Sequence, residues 1–377
     1  MKKIAIIGAS DFQNPLILKA KEKGIETHVF AWECGDVGER TADYFYPISI
    51  TEVDQILTKC KEVGVDGICS IGSDLANITV SKVAKELGLC ANSVDSVIRS
   101  TDKHVMRECF AEHGDPSPRS MVVSDGFDLA ASGLTYPLIV KPADRSGSRG
   151  ITRLDSPYGF QEAVSSAKSE SFSKVVLVEE FAEGAEYSVE YISWQGRHYF
   201  IAITEKFTTG APGFIETGHL EPARLDPAIV TAVKAVVEHA LDSLGVEYGA
   251  SHSEVKIDDN GKIAIIEIGS RMGGDCIGSH LVELSTGYDF VGAVVDVALG
   301  MEPPFPCGSS DRHAAIRFVF CEDDLRGLAL MKESNPDAVK LVSEIDLGHG
   351  KITDSSSRYG FYIVAGETLE EIATILP

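Results

Sequence analysis

Over the first hundred residues, apolar positions fall in short runs of strand length separated by stretches with helical spacing. Lys3 to Ile7 is one such run, stopped by Gly8, and Pro15 to Lys23 then shows helical periodicity up to Gly24. Thr27 to Ala31 predicts a second strand, Asp54 to Val63 a helix, Gly67 to Ile71 a strand and Ile78 to Leu87 a helix. Alternation at these lengths predicts a parallel sheet with crossover helices, an α/β unit over residues 1–97. Ser100 to His113 predicts a further helix, with Ser100 or Thr101 as N-cap and Gly114 as its end. Pro116 and Pro118 follow, so residues 98–117 read as a linker. Within residues 118–190 the pattern from Pro137 to Glu190 is strand, Gly-rich loop, strand, helix, strand, strand. Residues 191–377 form a mixed unit with a long helix at Pro227 to Leu244 and a hairpin at Ser251 to Ile268.

Composition narrows the class. A chain of 377 residues, 44% hydrophobic and 24% charged, has material for two or three globular domains. Its 57 acidic residues against 34 basic ones give a net charge of −23, which argues against nucleic acid or an anionic membrane as the main partner. The eight cysteines (34, 60, 69, 90, 109, 276, 307 and 321) include no Cys-x-x-Cys pair, so neither a zinc site nor a redox motif is expected. The N-terminal run MKKIAIIGAS is too short for a secretion signal, and no stretch reaches the ~18–20 apolar residues of a membrane span. The expectation is a cytoplasmic protein with reduced thiols. Gly8 is followed by Ala9-Ser10-Asp11-Phe12-Gln13, which lacks two glycines of a dinucleotide fingerprint, so an NAD site is not expected. The turn fits a plain strand-to-helix connection or a small-anion seat.

Three segments carry candidate chemistry. In the first, Asn260-Gly261 separates two apolar-rich runs, the signal of a type I′ hairpin. That register puts Asp259 opposite Lys262 and Glu254 opposite Glu267, with Cβ atoms roughly 4.5–5.5 Å apart. Two facing carboxylates repel unless a divalent cation such as Mg²⁺ sits between them. His252 shares their face, and Arg271-Met-Gly273-Gly274-Asp275 follows, offering a bidentate cation and close backbone approach. In the second segment, Lys141 ends a strand and precedes Ala-Asp-Arg145-Ser146-Gly147-Ser148-Arg149-Gly150, a loop whose amides can cradle phosphate. It is no Walker A loop, since no Gly-Lys-Ser/Thr follows. The third is Val-Glu179-Glu180-Phe181-Ala182-Glu183-Gly184-Ala-Glu186, where backbone amides and a carboxylate can read a base edge and a ribose. Each segment alone also fits a solvated polar turn.

In this order, over roughly residues 100–300, the three segments resemble the ATP-grasp superfamily. The resemblance implies an ATP-grasp fold preceded by a Rossmann-like pre-ATP-grasp domain at 1–97, with a small lid at 118–190 and a metal-bearing unit at 191–377. It implies phosphate binding by Lys103 and Lys141 and by the lid loop Ser146, Gly147 and Ser148. Adenine would be held by Glu179 through its carboxylate, with Glu180, Phe181 and Ala182, and the ribose by Glu186. Glu254 and Glu267 would be the metal ligands for Mg²⁺, with Mn²⁺ as an alternative ion. Arg271 would grip phosphate, and Arg271, Gly273 and Gly274 would hold the substrate or an oxyanion. The string Glu267-Ile-Gly269-Ser-Arg271-Met-Gly-Gly-Asp275, with Gly213 to His219 and Ser251 to Glu254, is similar to the carboxylate–amine ligase branch that includes the L-amino-acid ligases. It departs from Glu-x-Asn-x-Arg in carrying Gly269 where many members have a metal-binding Asn, leaving water or Ser270 to stand in. The resemblance implies C–N ligation through an acyl phosphate, with His219 and His252 as candidates for amine deprotonation or charge stabilisation. It also implies small carboxylate and amine substrates and a homodimer through the N-terminal unit. The rival readings are a carboxyphosphate-type ligase and a non-catalytic ATP-binding sensor.

Overall fold

The computed structural model describes residues 1–306, 312–348 and 350–376. The N-terminal unit is a parallel sheet of β1 (Lys3–Ile7), β2 (Glu26–Phe30), β3 (Tyr44–Tyr46) and β4 (Gly67–Cys69), in the order β3-β2-β1-β4. Its helices are α1 (Asn14–Glu22), α2 (Val37–Thr41), α3 (Val53–Val63), α4 (Asp74–Leu87) and α5 (Val94–Arg99). Ile4 to Ile7 are buried without alternation, as expected for a strand covered on both faces. One face packs on α3 and α4, with Ile7, Phe30, Ile56 and Val83 in one cluster. The other packs on α1 and on a helix that returns from far along the chain, Phe290–Ala298. Gly67 is what lets that helix close in, since a Cβ there would lie 2.4 Å from the Ala298 carbonyl oxygen.

Two helix starts differ from expectation, and both matter for the site. The helix expected from Ile78 begins a turn earlier at Asp74, capped by Ser73, whose Oγ accepts from Ala76 N at 3.2 Å. The helix expected over Ser100 to His113 starts later: a separate α5 ends at Arg99, and α6 (Lys103–His113) begins under the Asp102 carboxylate. Asp102 Oδ1 accepts from His104 N at 2.8 Å and Val105 N at 3.2 Å. An aspartate caps as well as a serine and better than a threonine, and its charge suits the helix N-terminus. Lys103 therefore opens α6.

The lid is a four-stranded antiparallel sheet of β5 (Ser120–Val122), β6 (Leu138–Pro142), β7 (Thr152–Leu154) and β8 (Val176–Glu180), ordered β5-β8-β6-β7 and backed by α7 (Phe160–Glu170). The largest sheet follows, with β9 (Ala185–Trp194), β10 (Arg197–Thr208), β11 (Glu216–Glu221), β12 (Tyr248–Ile257), β13 (Ile263–Gly269), β14 (His313–Phe318), β15 (Val339–Val342) and β16 (Phe361–Gly366). They run antiparallel in the order β13-β12-β9-β10-β11-β14-β16-β15. Helix α8 (Pro227–Leu244) has the predicted bounds; Asp226 caps it and Val233, Val237, Leu241 and Leu244 fill the core beneath β9, β12 and β13.

The β12–β13 turn is not type I′. Asp258 N and Lys262 O pair across a three-residue loop in which only Gly261 has positive φ (77°), and Asp258 Oδ1 accepts from Asn260 N and Lys262 N. This puts Ile257 opposite Ile263, one place off the expected register. A bulge between Glu254 and Val255 restores it, because the partner strand spends Ile266 without a counterpart, and Glu254 does face Glu267.

Candidate active site

Alternate residues of β9 to β12 turn one polar face toward the lid. Lys256, Glu186, Lys206 and His219 stand side by side in one row. Glu267, Glu254, Ser188 and Thr204 make the next, and Gly269, His252 and Glu190 the third. The opposite face is the apolar core under α8. Between this floor and the lid lies a cleft of about 310 Å³. It is lined by Lys103, Lys141, Ser146, Gly147 and Ser148 and by Glu179, Glu180, Phe181, Ala182 and Glu186. His219, His252, Glu254, Glu267, Arg271 and Gly274 complete the set. Gly273 does not line it, and neither does Ser270. A Cβ at Gly273 would lie 2.5 Å from His252 Nδ1, so its glycine makes room for that ring.

Each facing carboxylate is met by a buried lysine. Lys206 Nζ lies 2.5 Å from Glu254 Oε1, 2.9 Å from Glu186 and 3.9 Å from Glu216. Burial alone would lower its pKa, but the three carboxylates outweigh it and hold the ammonium well above its usual range. Lys103 Nζ lies 2.9 Å from Glu267 Oε1 and donates to Arg145 O in the lid loop at 2.8 Å, and Glu267 likewise overrides burial to raise its pKa. Burial pushes the Glu254 carboxyl up, and Lys206 with His252 more than reverses this, so it stays ionised far below the usual range. His252 Nδ1 pairs with Glu190 Oε1 at 2.6 Å and its Nε2 lies 3.5 Å from Glu254. Against burial, these carboxylates raise the imidazole to about 9.

At the other end, the Glu179 carboxylate meets Lys141 Nζ at 2.6 Å and Arg107 Nε at 2.9 Å and is 3% exposed. Burial raises its pKa, but Arg107 and Lys141 bring it to about 2. Lys141 itself is lowered, burial outweighing Glu179. The carboxylate expected on an adenine amino group is thus engaged by two protein cations. Arg153 and Lys256 both stack over the Phe181 ring at 4.4 Å, and Phe214 lies 6.1 Å from it. In the lid loop, Gly147, Ser148 and Gly150 have φ of 71°, 60° and 69°, and Ser148 Oγ donates to Phe214 O at 3.0 Å.

The third end holds Arg271. Its Nε and Nη2 fork onto Asp74 Oδ1 and Oδ2 at 2.8 and 2.9 Å, leaving Nη1 with one long contact to Met272 O at 3.4 Å. Gly269 abuts this pair: a Cβ there would lie 3.1 Å from Arg271 Cζ and 3.2 Å from Asp74 Oδ1, so any side chain in its place would require the Arg271–Asp74 pair to shift by a few tenths of an ångström. Ser270 does not stand in for the missing asparagine. Its hydroxyl points away from the cleft, onto Ser100 Oγ at 2.6 Å and Asn77 Nδ2 at 3.2 Å. His219 is 1% exposed; its Nε2 is 3.6 Å from Asp275 Oδ2 and neither ring nitrogen makes a hydrogen bond. Burial holds its pKa below the usual value despite Asp275. Among the described residues no three or more His, Cys, Asp or Glu side chains form a metal cluster. The two carboxylates suit Mg²⁺, which commonly completes its shell with water and nucleotide phosphates.

Lys206, Asp74, Arg107, Glu190 and Glu216 had no role in the sequence reading. The signal for two of them, Glu190 and Lys206, was present: Glu186-x-Ser188-x-Glu190 and Thr204-x-Lys206 place polar groups at period two inside otherwise apolar strands. Among the described residues all seven cysteines are free, and burial pushes the thiols of Cys60, Cys69 and Cys276 up to about 12; Cys307 lies outside those residues. No described helix is long and apolar enough to cross a membrane.

A parallel-sheet domain followed by a lid and a carboxylate-bearing antiparallel sheet is the ATP-grasp architecture, and residues 134–279 match the ATP-grasp domain family. The chain thus carries an ATP-grasp domain over those residues. It is similar to alanine–anticapsin ligase of Bacillus subtilis, 26% identical over 285 residues that cover 69% of this chain and 60% of that protein. It is similar to human carnosine synthase 1, 22% identical over 337 residues, 81% of this chain and 40% of that one. The chain thus spans under two thirds of these relatives' lengths. In fold it matches an L-amino acid ligase from Bacillus licheniformis with a TM-score of 0.84 at 23% identity, covering 99% of this chain and 95% of that one.

Proposed function

We propose that this protein is an ATP- and Mg²⁺-dependent ligase that joins a carboxylate to an amine, with an amino acid among its substrates. The observation that carries this is the pair Glu254 and Glu267, facing each other across β12 and β13 in a cleft shared with Lys103, Lys141, Lys206 and Arg271. Oxygen ligands beneath converging cations are what phosphoryl transfer requires. Glu254 and Glu267 would hold Mg²⁺, which offsets charge on the phosphate oxygens; Mn²⁺ suits the same donors. Glu180, Phe181 and Ala182 seat the adenine, Glu186 takes the ribose, and the amides of Ser146, Gly147 and Ser148 fold over the phosphates. Glu179 serves by fixing Lys141. The substrate carboxylate takes the γ-phosphoryl group to give an acyl phosphate and ADP. The amine then attacks the acyl carbon and phosphate leaves. His219, whose Nε2 lies 3.6 Å from Asp275 Oδ2, would accept the amine proton, while His252 holds Glu254 from behind as a positioning residue. Arg271 Nη1 and the backbone at Gly274 face the substrate end. The names of the relatives, which join alanine or form carnosine, favour amino-acid substrates.

The test is phosphate release from ATP with Mg²⁺ across pairs of amino acids. One pair should stimulate release with ADP formed in step, and Glu267→Gln should lower that rate by on the order of 10²-fold or more. Tight ATP binding that no pair converts into release would instead favour a nucleotide-binding sensor.

A further inference from the structure

Asp275 and Cys276 are consecutive non-glycine residues in the left-handed region, with φ of 50° and 61°. Such a backbone persists only where its surroundings hold it. Here the restraint comes from Arg358, outside the segment that matches the ATP-grasp domain family. Its Nη1 and Nη2 fork onto Asp275 Oδ2 and Oδ1 at 2.9 and 2.6 Å, its Nε donates to Ser355 O at 2.6 Å, and its guanidinium lies 3.5 Å from the Phe318 ring centroid. The Arg358 side chain is 7% exposed and that of Asp275 20% exposed, and it is Asp275 that faces the cleft.

The other groups named around this pair are apolar or engaged within the protein. Phe12 and Ile277 line the cleft, Arg271 is forked onto Asp74, Glu216 is met by Lys206 and by the Ser355 hydroxyl, and the buried His219 has its Nε2 3.6 Å from Asp275 Oδ2. An unpaired carboxylate on this wall would attract a cationic side chain, and an unpaired guanidinium an anionic one. With both present and forked together, the wall offers neither. We propose that the Asp275–Arg358 pair is a specificity-determining element, selecting an amino-acid substrate with an uncharged side chain. This rests on the ligase reading above.

The test compares amino acids of similar size by ATP-dependent phosphate release, and by calorimetric binding to protein held with Mg²⁺ and a non-hydrolysable ATP analogue. Wild-type protein should prefer L-leucine to L-lysine and L-glutamine to L-glutamate. Arg358→Gln leaves Asp275 without its guanidinium, facing only the buried His219, and should shift the lysine-to-leucine ratio of kcat/KM about tenfold toward lysine. Asp275→Asn leaves Arg358 unpaired and should shift the glutamate-to-glutamine ratio toward glutamate by a similar factor, with the KM for ATP unchanged within about twofold in both variants. General damage to folding cannot produce two shifts of opposite sign. Unchanged ratios in either folded variant, or a wild-type preference for charged side chains, overturn the proposal while the ligase reading stands. Wild-type protein that neither binds nor turns over with any amino acid overturns both.

Discussion

Glu221 shows what a single buried carboxyl does to this fold. It lies two residues beyond His219 on the same face of β11, fully buried, with Thr204 Oγ1 on one oxygen and Ser285 Oγ on the other, each at 2.6 Å. Burial raises its pKa from 4.5 to about 7, since two neutral hydroxyls offset only part of the lost solvation and Glu190 adds repulsion. A carboxyl whose folded pKa is raised stabilises the fold fully below its unfolded pKa, and that stability is lost as pH climbs to the folded value. Between pH 4.5 and 7 this costs on the order of 3 kcal/mol. Glu221→Gln has no such titration. Thermal melts from pH 5 to 8 should show the variant close to wild type at pH 5 and more stable at pH 8. Parallel curves would mean that Glu221 does not titrate in the folded protein.

Elements place these groups, and some placements are tighter than the sequence suggests. Gly184 joins β8 to β9 with φ 109°, and a Cβ there would lie 2.2 Å from the Ile257 carbonyl oxygen. That neighbour is strand backbone and cannot step aside. Gly184→Ala should therefore displace the Phe181–Ala182 segment, lowering stability by about 1–3 kcal/mol and weakening ATP binding measurably by calorimetry. Unchanged binding would show that this connection does not shape the adenine seat. The β12–β13 hairpin shows how much was legible. Two apolar strands about Asn260-Gly261 fixed a shared face for Glu254 and Glu267, because side chains alternate with period two whatever the turn. The turn itself was not legible: the Asp258 carboxylate stabilises a three-residue loop, and the compensating bulge at Ile266 depends on contacts with α6, where Arg107 Nη2 takes the Ile266 carbonyl at 2.7 Å. Local pattern sets which side a residue faces, whereas distant partners set where a strand bulges. Asp102 hid in the same way, since the break before α6 needs Lys103 N bonded to Ala143 O at 3.0 Å in the lid.

At the scale of the whole molecule, the N-terminal sheet is part of the site's electrostatics. Asp74 opens α4 in that unit and supplies, among the described residues, the only carboxylate forked onto Arg271, which follows β13 in the large one. A divided reading of the chain could not find this pair, because its members are 197 positions apart and the α4 start was misplaced past Asp74. Against burial, the Arg271 guanidinium lowers the Asp74 pKa, so the pair is ionised on both sides. Removing one member of a buried pair leaves the other charge uncompensated, typically at 3–5 kcal/mol, and solvent reaching the 17%-exposed Asp74 places the expected loss at about 2–3 kcal/mol here. Asp74→Asn keeps the size and one acceptor but loses the charge that fixes the guanidinium plane. The expected outcome is a melting temperature lowered by several degrees, nucleotide binding within a few-fold of wild type, and ligation slowed by roughly 10–100-fold. Nucleotide affinity should largely survive because Lys103 is held by Glu267 and Lys141 by Glu179, with Asp74 adding only a lesser attraction to Lys103. Nucleotide affinity and ligation rate falling by the same factor would instead make Asp74 a general support of the fold. A rate unchanged at full stability would remove the N-terminal unit from the chemistry, leaving Arg271 oriented by its own strand.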